Sequence, residues 1–222
     1  QTMSGLRAEG IFTPPSLRGS LVFPGHIGGV AWGGAAVDAP DGLVFLNTNR
    51  LAALIRLVPR AQLAAYEKAH PNVEIGGQRG SPYALSREFL LSPSRTPCNP
   101  PPWGTLTAVE IATGKIRWET PVGAWPFPKP QSTTWGGFNM AGPMATAGGL
   151  VFDASTTDKL LRAFDAQTGK LLWSGALPFT SPATPMTYLA PNGKQYVVIA
   201  SGGHGKLSAE LGDALVAFAL PE

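Results

Sequence analysis

A thirteen-residue pattern occurs twice in this chain, and it constrains the fold more than any other feature. Leu106-Thr-Ala-Val-Glu-Ile-Ala-Thr-Gly-Lys-Ile-Arg-Trp118 returns 55 residues later as Leu161-Arg-Ala-Phe-Asp-Ala-Gln-Thr-Gly-Lys-Leu-Leu-Trp173. Each copy reads as an alternating strand, a tight turn at Thr-Gly-Lys with Gly114 or Gly169 at its apex, and a second strand closing on tryptophan. That is a β-hairpin by its turn chemistry. Strand-built repeats of this period predict propeller blades. Gly-Leu-Val-Phe stands at residues 42–45 and again at 149–152, and each copy is expected to open the inner strands of a blade. Near the end, residues 194–201 and 212–220 are β-rich and flank the loop Gly202-Gly-His-Gly-Lys-Leu207. The expectation is an all-β chain, a partial β-propeller of about four blades.

Composition agrees. The 27 glycines and 22 prolines are spread at short intervals, as many short strands joined by turns require. With 44% hydrophobic and 14% charged residues the chain can bury a core. The net charge of +3 comes from scattered Lys and Arg with no basic run interleaved with aromatics, so no nucleic-acid partner is expected. Cys98 stands alone, which excludes an internal disulfide and a CxxC metal site. No apolar run reaches the roughly 18 residues needed to cross a bilayer, and the opening residues lack signal-peptide character. Any export signal or anchor is expected ahead of this chain. One helix is expected, over Ala61–Ala69 and stopped by Pro71. With the Pro-, Ser- and Gly-rich stretch from Gln78 to Pro102, this helix reads as part of a long inter-blade excursion, about residues 60–102, in an otherwise single segment 1–222.

Several familiar sites are excluded by spacing. Gly202-Gly-His-Gly-Lys206 is followed by Leu207, and Ala200 stands where a phosphate-binding loop needs its first glycine. No His-x-x-x-His or His-Glu pair accompanies His26, His70 or His204, so a protein-only metal site is not implied. Ser201, His204 and Asp213 lack the G-x-S-x-G elbow of a hydrolase. Asn47 ends Leu-Val-Phe-Leu-Asn, and Asp158 lies at a turn between two expected strands. Strand ends of that kind line the mouth of a propeller channel, where polar groups from several blades converge. Asn and Asp also favour strand ends and turns for local reasons, so the residues alone leave both readings open.

The chain resembles the C-terminal region of the membrane-bound pyrroloquinoline quinone (PQQ) dependent glucose dehydrogenases, and more loosely the PQQ alcohol and methanol dehydrogenases. The resemblance runs from about Thr13 to Pro221. It is carried by Thr-Pro-Pro-Ser (13–16), Trp32-Gly-Gly with Val37-Asp38, Gly142-Pro-Met-Ala-Thr-Ala-Gly-Gly, Ala183-Thr-Pro-Met-Thr-Tyr188, Asn192-Gly-Lys-Gln-Tyr-Val-Val, and Gly-Gly-His-Gly with Gly212-Asp. It implies an eight-bladed propeller interlocked by tryptophans such as Trp118 and Trp173, with PQQ near the axis beside calcium or magnesium. Matched motif to motif, Asn47 resembles the asparagine that hydrogen-bonds the quinone. Asp158 resembles an aspartate lining the same pocket, and His204 the histidine at the substrate mouth. Motifs for the catalytic base, the PQQ-contacting lysine and the metal ligands would lie ahead of Gln1, so the chain alone is expected to be inactive. The vicinal cysteine pair of the alcohol dehydrogenases is absent, which suits the glucose branch. The resemblance further implies a sugar or alcohol substrate, ubiquinone as acceptor, a periplasmic location, and either preceding blades or a second copy of the chain as structural partner. The alternative is a PQQ-repeat propeller without quinone that scaffolds protein assembly. Polar groups at Asn47, Asp158 and the Gly-Gly-His-Gly loop argue against it.

Overall fold

The computed structural model describes residues 3–126, 133–208 and 210–221. Its strands, in order, are β1 (Ser20–Val22), β2 (Gly29–Asp38), β3 (Leu43–Asn49), β4 (Ala53–Pro59), β5 (Glu74–Gly76), β6 (Tyr83–Phe89), β7 (Gly104–Glu110), β8 (Ile116–Pro121), β9 (Met144–Ala145), β10 (Leu150–Ala154), β11 (Leu160–Asp165), β12 (Leu171–Ala176), β13 (Met186–Leu189), β14 (Gln195–Ser201) and β15 (Ala214–Phe218). The helix α1 spans Leu63–Ala69 after a short 3-10 turn, where it was expected. Among the described residues no helix is long and apolar enough to cross a membrane.

All pairings between the named strands are antiparallel and make four sheets, ordered β1-β4-β6-β5, β2-β3-β7-β8, β9-β10-β11-β12 and β13-β14-β15. The chain divides into two compact units. One comprises Gln1–Gly28 with Arg50–Pro100, the other Gly29–Asn49 with Pro101–Glu222.

In the first unit the stretch expected as an inter-blade excursion supplies β5 and β6 of a four-stranded sheet whose other strands are β1 and β4. The glycine- and proline-rich turns around it are tied by specific bonds. Arg60 donates to the carbonyls of Gly77, Gln78 and Ser81. Asn99 donates to Arg50 O and accepts from Ala52 N. A bidentate Arg87–Glu74 pair bridges β5 and β6.

The second unit holds three propeller-type sheets, and both repeat hairpins sit in them. Gly114 and Gly169 take φ of 69° and 68°, the left-handed conformation that glycine adopts without a Cβ clash. Glu110 and Asp165 close the turns by accepting from Gly114 N and Gly169 N. A register shift falls between Ala108 and Val109 in one hairpin and between Ala163 and Phe164 in the other, the same repeat position. The bulge is therefore part of the repeat.

Two apolar clusters hold these sheets together. Leu43, Phe45, Leu106 and Ala108 from one sheet pack on Val151, Phe164 and Ala166 from the next. Ala154 and Leu161 then pack on Val197 and Ile199 of the third. Trp118 joins the first cluster. Its Nε1 donates to Ala166 O at 2.9 Å, and its indole lies where a Cβ on Gly169 would stand, 2.5 Å from Cε3. One repeat thus grips the turn of the next.

The sheet β2-β3-β7-β8 is split in sequence. Gly42–Phe45 and the Leu106–Trp118 hairpin belong to the same sheet, and residues 50–103 leave and return between its second and third strands. The excursion therefore departs from within a sheet and not from between two blades.

Candidate functional site

Asn47 lies inside β3 and not at its end. The alternation of Leu-Val-Phe-Leu-Asn-Thr-Asn buries Leu43, Phe45, Asn47 and Asn49 on one face. Two of those four buried positions carry amides, and a buried amide must find partners or cost stability.

The partners come from β10 and from residues 138–142. Asn47 Nδ2 donates to Ala141 O at 2.8 Å and to Asp153 Oδ1 at 2.9 Å. Asn49 Nδ2 donates to Asn139 O, and Asn139 N donates to Asn49 Oδ1, both at 2.7 Å. Asn139 Nδ2 reaches both oxygens of Asp153, at 3.2 and 3.1 Å. Met140 N and Gly142 N donate to Thr156 and Thr184 hydroxyls. Residues 139–142 are therefore held between the two sheets by side chains, a substitute for regular strand pairing. One valence stays open: Asn47 Oδ1 is buried and meets no donor.

Asp153 is fully buried. Burial pushes its carboxyl up from 3.8 to about 7, against the opposing pull of the Asn47 hydrogen bond, the Arg162 charge, Asn139 and the Ala154 amide. Arg162 stands directly opposite it in the β10–β11 register. The guanidinium is spent on Asp158, donating to Oδ1 at 3.0 Å and Oδ2 at 2.5 Å.

Asp158 occupies the turn between β10 and β11. It does not touch Asn47. The two are linked through Arg162 and Asp153, and its own carboxylate is committed to Arg162. The adjacent Lys159 donates to Glu210 at 2.6 Å, which brings the Asp158 turn beside the loop that carries His204.

His204 sits half-buried in that loop. Lys206 N donates to its Nδ1 at 3.3 Å, so the neutral ring carries its proton on Nε2. Thr180 and Ser208 hold the loop, through Gly203 N donating to Thr180 O and His204 N donating to Ser208 Oγ. Among the described residues no group of three or more His, Cys, Asp or Glu gathers to hold a metal ion.

Asp153 and Asn139 were not singled out from the sequence. The signal for Asp153 was present: an ionisable residue immediately after Gly-Leu-Val-Phe, inside an apolar inner strand. Asn139 carried none, since its role depends on partners far along the chain.

Three sheets joined by tryptophan-ended hairpins, with a polar cluster where the first meets the second, define a propeller blade array of the quinoprotein type. The chain belongs to the PQQ family described as "Glucose/ethanol/alcohol dehydrogenase, beta-propeller domain", whose model matches residues 1–197. It is 41% identical over 232 residues to the quinoprotein glucose dehydrogenase of Escherichia coli (strain K12), covering 98% of this chain and 29% of that protein. It is 40% identical over 236 residues to the probable quinate dehydrogenase (quinone) of Xanthomonas campestris pv. juglandis, again covering 98% of this chain and 29% of that protein. Among solved structures, the quinohemoprotein alcohol dehydrogenase of Comamonas testosteroni superposes with a TM-score of 0.60 at 22% identity, covering 90% of this chain and 27% of that one, a likeness of fold. The chain thus spans less than a third of the length of these relatives.

Proposed function

We propose that this chain supplies one side of the PQQ pocket in a dehydrogenase that oxidises a sugar or alcohol and passes the electrons to a quinone such as ubiquinone. Relatives named for glucose, quinate and glycerol support a polyhydroxylated substrate, and two of the names specify a quinone. The observation that carries the reading is Asn47: a fully buried amide, fixed by two hydrogen bonds from Nδ2, whose Oδ1 meets no protein donor. PQQ has a ring N–H and, when reduced, hydroxyl groups. Its donors fit that acceptor. When bound, PQQ supplies the two-electron acceptor for the substrate's hydride, and calcium or magnesium would be held by residues outside this chain.

The chain's own residues bind and orient. Asn47 offers a hydrogen bond at a fixed place, and Asp153 with Ala141 keeps the amide from turning. Arg162 and Asp158 form a neutralised pair behind it. His204 presents Nε2–H, which suits a substrate hydroxyl. Such a role belongs in the periplasm, in a protein that carries the general base and metal ligands elsewhere.

A dye-linked assay of the intact enzyme, reconstituted with PQQ and calcium and run on glucose, quinate and glycerol, tests the proposal. Turnover on at least one polyol, lowered by Asn47→Ala, is the expected result. Turnover unaffected by Asn47→Ala and His204→Ala alike would remove both residues from the pocket. The isolated 222-residue chain is expected to show no turnover under the same conditions.

A further inference from the structure

The loop that carries His204 is held by two attachments of different kinds. Its neck closes where Gly212 N donates to Gly202 O, and Leu207 N and Ser208 N both donate to His204 O, which fixes a tight turn after the histidine. The imidazole belongs to that turn, with Lys206 N donating to its Nδ1. On one side the loop is bound to Thr180: Gly203 N donates to Thr180 O, and the Thr180 and Ser208 hydroxyls lie 2.6 Å apart. The other attachment is ionic. Glu210 accepts from Lys159 Nζ at 2.6 Å, and that lysine lies in the turn between β10 and β11.

Lys159 is fixed at both ends. Its backbone oxygen accepts from Leu177 N at 2.8 Å, and its ammonium lies over the Phe179 ring, 5.9 Å from the centroid. That ring stands where a Cβ on Gly212 would be, at the neck of the loop. Ser201 Oγ holds the same residue by donating to Phe179 O and accepting from Phe179 N. Asp158, the carboxylate beside the lysine in sequence, is committed to Arg162, which leaves Lys159 to the loop.

We propose that Lys159 and Glu210 are a positioning pair, an ionic clasp between the β10–β11 turn and the His204 loop that holds the histidine where substrate meets it. The inference rests on the assignment of His204 to the substrate mouth and adds to it what keeps the histidine there. Thr180 ties the loop to the segment that leads into β13, and the clasp ties it to the preceding sheet. With the clasp open, the loop rests on Thr180 and opens more often, taking the histidine with it. Both side chains of the clasp are partly exposed, 46% and 62%, so the pair is weak and salt screens it. It governs substrate affinity and not the chemical step, and that affinity falls as ionic strength rises.

Steady-state kinetics and amide hydrogen exchange of the intact enzyme, run on the polyol that it oxidises, test this. Lys159→Met keeps the apolar stem beside Phe179 and removes the charge, and Glu210→Gln keeps the shape. At low salt each should raise KM by about two- to fourfold with kcat unchanged, the fold-change of a partly exposed ion pair. At about 1 M salt wild type and variants should converge. Glu210→Lys sets two cations together and should raise KM further, and adding Lys159→Glu rebuilds the pair in reverse and should bring KM back toward wild type. Exchange in peptides covering residues 202–208 should quicken in the single variants and return in the reversed pair. Unchanged exchange in Glu210→Gln would overturn the clasp. So would single variants whose KM stays raised at high salt, or a reversed pair no better than Glu210→Lys. Faster exchange with an unchanged KM would instead overturn the assignment of His204 to the substrate mouth, and the inference with it.

Discussion

The carboxyl of Asp153 makes stability depend on pH in a direction opposite to that of most acidic residues. Its ordinary value is 3.8 and its value in the folded chain is about 7, with burial the main cause. Between those two values the folded chain holds a proton that the unfolded chain releases. The stability associated with it is complete below the unfolded value and is lost as pH rises through the folded one. Three units correspond to about 4 kcal/mol. Asp153→Asn, which is never charged, should therefore be more stable than wild type at pH 8 by up to that amount and nearly equal to it at pH 4. Urea unfolding at both pH values checks this, and a difference that does not grow with pH would mean that Asp153 is better solvated than its burial indicates. His204 belongs to the same scale. With Nδ1 engaged by Lys206 N, His204→Ala should raise the apparent KM of the intact enzyme for its substrate while leaving PQQ affinity unchanged, as steady-state kinetics and a PQQ titration would show. Asn47 and His204 drew attention in the sequence because each stands in a motif of its own. The place of Asp153 after Gly-Leu-Val-Phe was legible too, but its polar partners were not, because Asn47 is 106 residues away.

At the scale of elements, the grip of one repeat on the next is local enough to be tested with two substitutions. Gly169 has a φ of 68°, and a Cβ there would lie 2.5 Å from the Trp118 ring. Gly169→Ala should cost roughly 2 kcal/mol or more, from the left-handed backbone and the displaced indole together. Trp118→Ala removes the indole and its bond to Ala166 O and should cost about 3 kcal/mol. Because both act on one contact, the double variant should cost less than the sum, which denaturant unfolding of the four proteins would measure. Strict additivity would show that the tryptophan does not act through that turn. The hairpins were readable because turn glycine, alternation and tryptophan lie within thirteen residues. The sheet that combines β3 with β7 was not, since its strands are separated by residues 50–103. The sheet that this segment completes with β1 was hidden for a related reason. Its strands are three to seven residues long, and the bonds that fix them, from Arg60 and Asn99, leave no periodic trace.

At the scale of the whole molecule, the repeat marks an apolar position that stays exposed. Leu106 and Leu161 occupy the same repeat position and are fully buried, each packed in a cluster that joins its sheet to the following one. Leu215, which opens the third copy of Leu-x-Ala in β15, is 74% exposed. Met186, Tyr188 and Leu189 on β13 are exposed as well. At about 25 cal/mol per Å2, a few hundred Å2 of such surface represents many kcal/mol of association free energy. The isolated chain should therefore self-associate, and sedimentation equilibrium at micromolar concentration should find species heavier than 23.2 kDa. A clean monomer that unfolds cooperatively would contradict this. The family was legible from the order of motifs along the chain. The polar cluster of Asn47, Asn49, Asn139 and Asp153 required the fold.

The central claim is that Asn47 faces PQQ, and the most direct test is the equilibrium dissociation constant of PQQ from the intact enzyme, measured for wild type and Asn47→Ala. Loss of one buried hydrogen bond should weaken binding by about tenfold, with unfolding midpoints kept close enough to exclude a folding defect. Equal affinities in two equally folded proteins would place Asn47 outside the pocket and contradict the account.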